Sequence, residues 1–300
     1  MNFTVSINPT YFCNFNCDFC YLSEQQLKDR YTAPLDKIKE RLDEVLVITH
    51  IDLYGGEIGL LPDEYVDSLI ELCKQYTDSI CIITNLSAIR PAFLRDDIQL
   101  SVSYDFDARE KESIVFNNML KIQKPFNILT LASRKVVNGN PDVMITMLNA
   151  LTNLRAFEIK PFSQTSHRDQ KVSDIEYEEF VKKFIDSELN CEFTNQTRIE
   201  QCLDKQYNAF SNDHVYITPN CKFAVLEFDK DHNEYFLELD SFDDYLKWAM
   251  NENISDVCKS CKYYGHCLTE HYKYVESKDN SCNGYYNLLE WYNAGMEDQI

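Results

Sequence analysis

The sequence predicts an α/β fold, an open barrel of six β/α units followed by a small cysteine-rich domain, on three observations. From the start to about residue 190, six β-rich runs alternate with segments of helical period. Beyond that point the alternation stops. Seven of the twelve cysteines crowd into two clusters, one near each end of the 300 residues.

The six runs are "FTVSIN" (3–8), "VITHIDLY" (47–54), "SICIIT" (79–84), "IQLSVSY" (98–104), "FNILTL" (126–131) and "LRAFEIK" (154–160). Strands of this length separated by helices predict successive βαβ units and a parallel sheet. Between them, Leu35, Ile38, Leu42 and Val45, then Val66, Leu69, Ile70 and Cys73, recur at helical spacing. Cys73 on that apolar stripe, and Cys81 inside a strand, read as core thiols. Ser173 with Glu176 forms a capping box that opens a helix burying Tyr177, Phe180, Val181 and Phe184. Six strands are too few to close as an eight-stranded barrel, so a lateral opening is expected. The later runs "HVYITP", "KFAVLEF" and "EYFLEL", a helix near 242–250 and a cysteine-rich tail place a domain boundary between 1–190 and 191–300.

The 29 basic and 49 acidic residues leave a net charge of −20, which repels phosphate backbones and argues against a nucleic-acid partner. No apolar run approaches the roughly 18 residues of a membrane span, and "MNFTVSIN" lacks the basic start and apolar middle of a signal peptide. A cytoplasmic location without membrane attachment is therefore expected. In that reducing compartment clustered thiols bind metal or react more often than they pair.

Cys13, Cys17 and Cys20 have the spacing C-x3-C-x2-C directly after the first strand. All three can project from one loop at the carboxyl end of the sheet, where parallel α/β folds carry their chemistry. Three protein ligands leave one metal corner open for a small molecule, which points to a catalytic iron–sulfur cluster. A zinc site completed by a distant residue and three reduced core thiols also fit the spacing.

This motif, with Phe19 before its last cysteine, resembles the radical S-adenosylmethionine (radical SAM) superfamily, and the resemblance covers residues 3 to about 190. "YGGE" (54–57) ends the second strand where that family has its Gly-Gly-Glu motif, so Gly55, Gly56 and Glu57 would receive the amino group of S-adenosylmethionine, with Glu57 accepting a charge-assisted hydrogen bond. Thr84 and Asn85 close the third strand, and "SVSYD" (101–105) ends the fourth. Both resemble cofactor-contacting strand ends, with Ser103 and Asp105 as ribose ligands. The resemblance implies a partial (β/α)6 TIM-like barrel with a small C-terminal Fe–S-binding domain. It also implies a [4Fe–4S] cluster on the three thiolates that binds S-adenosylmethionine at its open iron. One electron would then release methionine and a 5'-deoxyadenosyl radical, which abstracts hydrogen from a substrate.

"CKSCKYYGHC" supplies Cys258, Cys261 and Cys267, and Cys282 follows, enough for a complete four-thiolate site of zinc or iron–sulfur. The pattern C-x2-C-x5-C with a later cysteine resembles the SPASM extension of radical SAM enzymes, which implies at least one auxiliary [4Fe–4S] cluster acting as an electron conduit or a structural staple. The SPASM pattern next requires a cysteine where this chain has His271. Three readings stay open for a second auxiliary cluster: ligation by Cys202, Cys221 and His271, absence, or a catalytic thiol at Cys221. Cys191 reads as core.

For substrate contacts, strand ends are expected to present Asp52, Tyr54, Tyr104 and Lys160 toward the interior or its mouth. "KPFSQTSHRD" (160–169) is a candidate substrate loop with His167 and Arg168. By resemblance the substrate is a ribosomally made peptide undergoing crosslinking or side-chain modification. A small-molecule dehydrogenase is the alternative. The chain starts at strand one, so a separate leader-binding protein or the barrel itself would recognise a leader. An electron donor such as flavodoxin or ferredoxin is expected.

Overall fold

The computed structural model describes residues 2–162, 169–229, 234–250, 256–269, 282 and 284–297. All six predicted strands form, as β1 (Phe3–Ile7), β2 (Ile48–Leu53), β3 (Ile80–Thr84), β4 (Gln99–Ser103), β5 (Phe126–Ala132) and β6 (Leu154–Pro161). They pair in chain order and all in parallel. The short β7 (Glu192–Phe193) continues beyond β6. At the other edge β8 (His214–Ile217) lies parallel to β1, and β9 (Phe223–Asp229) and β10 (Glu234–Leu239) follow it antiparallel. One sheet thus runs β10-β9-β8-β1-β2-β3-β4-β5-β6-β7, with two free ends and no closure. The runs beyond residue 190 join the barrel's own sheet.

The helices are α1 (Glu24–Lys28), α2 (Leu35–Glu44), α3 (Asp63–Cys73), α4 (Glu112–Met119), α5 (Arg134–Val137), α6 (Pro141–Asn149), α7 (Asp174–Ile185), α8 (Thr194–Leu203), α9 (Phe242–Ala249), α10 (Asp256–Lys259) and α11 (Tyr286–Glu297). Ser173 and Glu176 make the predicted capping box at α7, and Tyr177, Phe180, Val181 and Phe184 are buried. One expectation fails. Between β3 and β4 there is no α-helix, only a 3-10 turn at Pro91–Leu94 with Pro91 at its start, in the connection from residue 85 to 98.

Strand alternation decides which face does chemistry. Phe3, Val5, Ile7, Ile51, Leu53, Ile82, Leu100, Val102, Ile128 and Phe157 are buried on the face that packs against helices. Their neighbours Ser6, Asp52, Cys81, Ser101, Asn127 and Glu158 point the other way. Parallel sheets covered on both faces are apolar on both, so a polar second face marks this wall as one that meets polar ligands. Among the described residues no helix is long and apolar enough to cross a membrane.

Candidate active site and auxiliary cysteine site

The loop leaving β1 carries Cys13, Cys17 and Cys20 across the end of β2, and Gly55 and Gly56 let it pass. A Cβ on Gly56 would stand 2.2 Å from the Phe12 carbonyl oxygen and 2.3 Å from that of Tyr11. Gly55 has φ of +153° and equally little room, 2.4 Å to the Thr10 oxygen. The backbone N–H of Gly56 donates to Thr10 O at 2.9 Å and that of Glu57 to Phe12 O at 2.8 Å. The glycines hold the cysteine loop down by close backbone approach.

Glu57 is buried, and its carboxylate is already committed within the protein. Oε1 accepts from Thr84 Oγ1 at 2.6 Å and from the Gly59 N–H at 2.8 Å, and Oε2 accepts from the Asn85 N–H at 2.6 Å. Burial pushes the carboxyl up from its ordinary range while these donors pull it back. Glu57, Thr84 and Asn85 are thereby brought together as one unit. The Asn85 side-chain amide then donates to Asn14 Oδ1 at 3.1 Å and stands 3.8 Å from Cys13 Sγ, so the end of β3 steadies the loop from a second side.

A third side comes from residues 105–111, which sequence reasoning did not single out beyond Asp105. The Glu110 carboxylate accepts from the Asn16 N–H at 2.7 Å, and the Glu110 N–H faces the Cys17 sulfur. Lys111 Nζ lies 5.2 Å from the Phe15 ring centre, and the guanidinium of Arg109 lies 5.4 Å from that of Phe19. Arg109 is buried; its Nε donates to Asp105 Oδ2 at 2.8 Å and its Nη2 to Ser103 Oγ at 2.5 Å. Asp105 Oδ1 accepts from the Leu131 N–H at 2.6 Å. Ser103 and Asp105 thus serve Arg109 here. The only signal for Arg109 in the sequence was a cation four residues after the strand-end aspartate.

The donor set, three thiols on one loop, is of the chemical kind that holds an iron–sulfur cluster rather than a single ion. Cys13, Cys17 and Cys20 are electrostatic neighbours on one loop, and the Phe15 N–H donates to Cys13 Sγ at 3.4 Å. Burial raises the Cys13 thiol to about 11 and raises Cys17 as well, the latter opposed by Arg109. Ligation would displace those protons, as it does at any thiolate site.

Of the other strand-end candidates, Asp52 and Tyr54 lie on the polar side of β2. Asp52 Oδ1 is 3.1 Å from His50 Nε2, and burial raises the Tyr54 phenol. Lys160 pairs with Glu158 at 2.9 Å, and Arg198 of α8 reaches the same carboxylate at 2.5 Å. Tyr104 is a correction. It is fully buried on the helix side, where it packs on Phe106 and Phe116 and its hydroxyl donates to Glu112, because the two-residue period of β4 puts it in phase with Leu100 and Val102. His167, Arg168 and His271 lie outside the described residues.

At the other end of the chain, Cys258, Cys261, Cys267 and Cys282 all line one cavity of about 490 Å³. A Cβ on Gly284 would stand 2.7 Å from Cys267 Sγ and 3.4 Å from Cys282 Sγ, so this glycine makes room for two of the sulfurs. The wall facing them is the first turn of α7, with Asp174, Ile175 and Glu178. Glu178 is buried, accepts from the Leu288 N–H and from Asn287, and so caps α11 from another helix. Tyr177 and Tyr285 pack alongside with ring centres 4.6 Å apart.

Cys202 is buried in α8, and its carbonyl accepts from His266 Nδ1 at 2.9 Å. Cys221 sits instead in the β8–β9 turn with φ of +55°, near Arg41 and Asp36 of α2. The structure sets them in different surroundings. Cys73 and Cys81 are buried as expected, and Cys191 is half-buried. Among the described residues no three His, Cys, Asp or Glu groups are gathered closely enough for a single metal ion.

Residues 7–110 match the family model of the radical SAM superfamily. Among solved structures the chain is similar to histidine-tagged anSMEcpe with bound AdoMet, with a TM-score of 0.71 at 14% identity over 100% of this chain and 99% of that one. The native form of that protein with bound AdoMet and Cp18Cys peptide gives 0.71 at 14% over 99% and 98%. Streptococcus suis SuiB bound to precursor peptide SuiA gives 0.65 at 15% over 93% and 74%. At these identities the likeness is one of fold. No curated protein matches in sequence.

Proposed function

We propose that this chain, whose residues 7–110 match the radical SAM superfamily model, is a radical SAM enzyme that modifies a ribosomally made peptide, by crosslinking or by oxidising a side chain. When bound at Cys13, Cys17 and Cys20, a [4Fe–4S] cluster with S-adenosylmethionine supplies the hydrogen-abstracting radical. The chain's own residues do the rest. Gly55, Gly56 and Glu57 hold the cysteine loop and offer backbone groups at the strand end, with Phe19, Thr84, Asn85, Ser103 and Asp105 around them. The polar wall of β1–β6 orients the substrate.

The observation that carries the peptide reading is the open sheet, which ends in edge strands instead of closing on itself, as a substrate chain that continues in both directions would need. SuiB, similar in fold, was solved with a precursor peptide. Cys258, Cys261, Cys267 and Cys282 are proposed to hold one auxiliary [4Fe–4S] cluster. All four line one cavity, in which Gly284 makes room for two of the sulfurs. The division near residue 190 then marks where the β/α alternation ends, with β8, β9 and β10 still in the same sheet and the four cysteines beyond them.

The test is iron and sulfide content of anaerobically prepared protein beside a Cys13/Cys17/Cys20→Ala variant, together with co-expression of short peptides encoded beside the gene. Two complete sites predict roughly eight irons falling to about four, and a peptide whose mass changes only with the intact motif. Oxidation of a small alcohol or amine with every peptide unchanged would replace the peptide reading with a small-molecule dehydrogenase.

A further inference from the structure

Arg109 is a cation buried in the wall of the active site, and its placement has an electrostatic consequence. It lies against the Phe19 ring, one residue before Cys20, and is among the charges acting on both Cys17 and Cys13. Its counter-charge, Asp105, is held at the end of β4 by the Leu131 N–H. The next residue along the chain, Glu110, turns its N–H toward the Cys17 sulfur, which sets Arg109 against the cysteine loop. The cysteine loop therefore has a buried cation against it, held in a fixed orientation by Asp105 and Ser103.

A charge inside a low-dielectric wall acts more strongly than the same charge in water. Reduction of a cluster on Cys13, Cys17 and Cys20 adds one negative charge at the place Arg109 faces. We propose that Arg109, oriented by Asp105, is a positioning residue that raises the reduction potential of the catalytic cluster and so brings it within reach of a one-electron donor. The inference rests on the cluster assignment above. Its direction is fixed: loss of the cation disfavours the added electron, and loss of the aspartate favours it. The stacking on Phe19 holds the charge in place.

The experiment is an anaerobic dithionite titration followed by electron paramagnetic resonance. It uses the otherwise intact holoprotein of wild type, Arg109→Gln, Arg109→Lys and Asp105→Asn, each in a Cys258/Cys261→Ala background that removes the auxiliary signal. In Arg109→Gln the oxidised-to-reduced equilibrium shifts about tenfold toward the oxidised cluster, which for one electron is about 59 mV. Asp105→Asn shifts it the other way, and Arg109→Lys, which keeps the charge, stays within about threefold of wild type. A purely structural role predicts instead that Lys and Gln behave alike and that Asp105→Asn and Arg109→Gln shift in the same direction; either result overturns the proposal. So does an unchanged midpoint in Arg109→Gln with its cluster intact. If the parent protein assembles no four-iron cluster at all, the cluster assignment fails first, and the proposal with it.

Discussion

The cysteine loop at residues 13–20 is held from three sides by ends of other strands: Gly55–Glu57 after β2, Thr84–Asn85 after β3 and Asp105–Lys111 after β4. Cys258, Cys261, Cys267 and Cys282 are held differently, by turns and short helices set against α7, with Gly284 between two of the sulfurs and Glu178 tying α11 down. In the first case the parallel sheet builds the site, and the loop is the variable part laid across it. In the second, most of the site's framework comes from the cysteine-bearing segments themselves, so bound metal should contribute a larger share of its order.

The largest effect that sharpens this contrast comes from the two glycines. Gly56→Ala puts a methyl group into two backbone carbonyls that cannot move without lifting the cysteine loop. It should remove the iron of the catalytic site, with a stability loss of about 1–3 kcal/mol, read by metal analysis and urea unfolding. Gly284→Ala meets sulfurs, not backbone, and should remove only the auxiliary iron. If both variants lose the same iron, the two sites are not independently built.

A smaller effect is expected at the joint between α7 and α11. Glu178→Ala removes the carboxylate that accepts from the Leu288 N–H and from Asn287 beside the auxiliary cysteines, and leaves the Leu288 N–H only its bond to Tyr285 O at 3.1 Å. A cost of about 1–3 kcal/mol follows, with slower auxiliary cluster assembly and unchanged iron at Cys13, Cys17 and Cys20. Thermal melts with and without reconstituted iron would show the difference shrinking in the loaded protein.

The smallest concerns the capping box that starts α7. Ser173→Ala should cost about 1 kcal/mol. Arg134 and Ser173 hold the Glu176 carboxyl down at about 2. Because this folded value lies below the ordinary carboxylate range, the stabilisation is fully present above about pH 4.3 and is lost as pH falls toward 2. Glu176→Gln should flatten the acid limb of the stability profile slightly, since the group is largely exposed.

Much of this was legible before the structure. The six strands, the apolar stripes of α2 and α3 and the α7 capping box follow from local periodicity and cap chemistry, which act over a few residues. The Gly-Gly-Glu segment could be read because close backbone approach leaves few residue types to choose from, and the two cysteine groupings because their spacing is short. Tyr104 was misplaced because a strand end gives no local signal of which face it ends on; only the register of β4 with β3 and β5 does. Arg109 went unread because a charged residue in a loop is usually solvated, and its burial depends on Phe19, ninety residues earlier.

The sequence by itself therefore determined the elements, the two sets of thiols and the end of the sheet at which the first would lie, since each is written in short-range spacing. Tertiary structure alone decided that β8, β9 and β10 extend the barrel's sheet from β1 and that Glu57 spends its carboxylate on its neighbours. It also decided that a buried arginine faces the cysteines. These outcomes depend on which distant segments share one desolvated space, and the energy of a charge or a hydrogen bond there is set by that space rather than by the residues on either side of it in the chain.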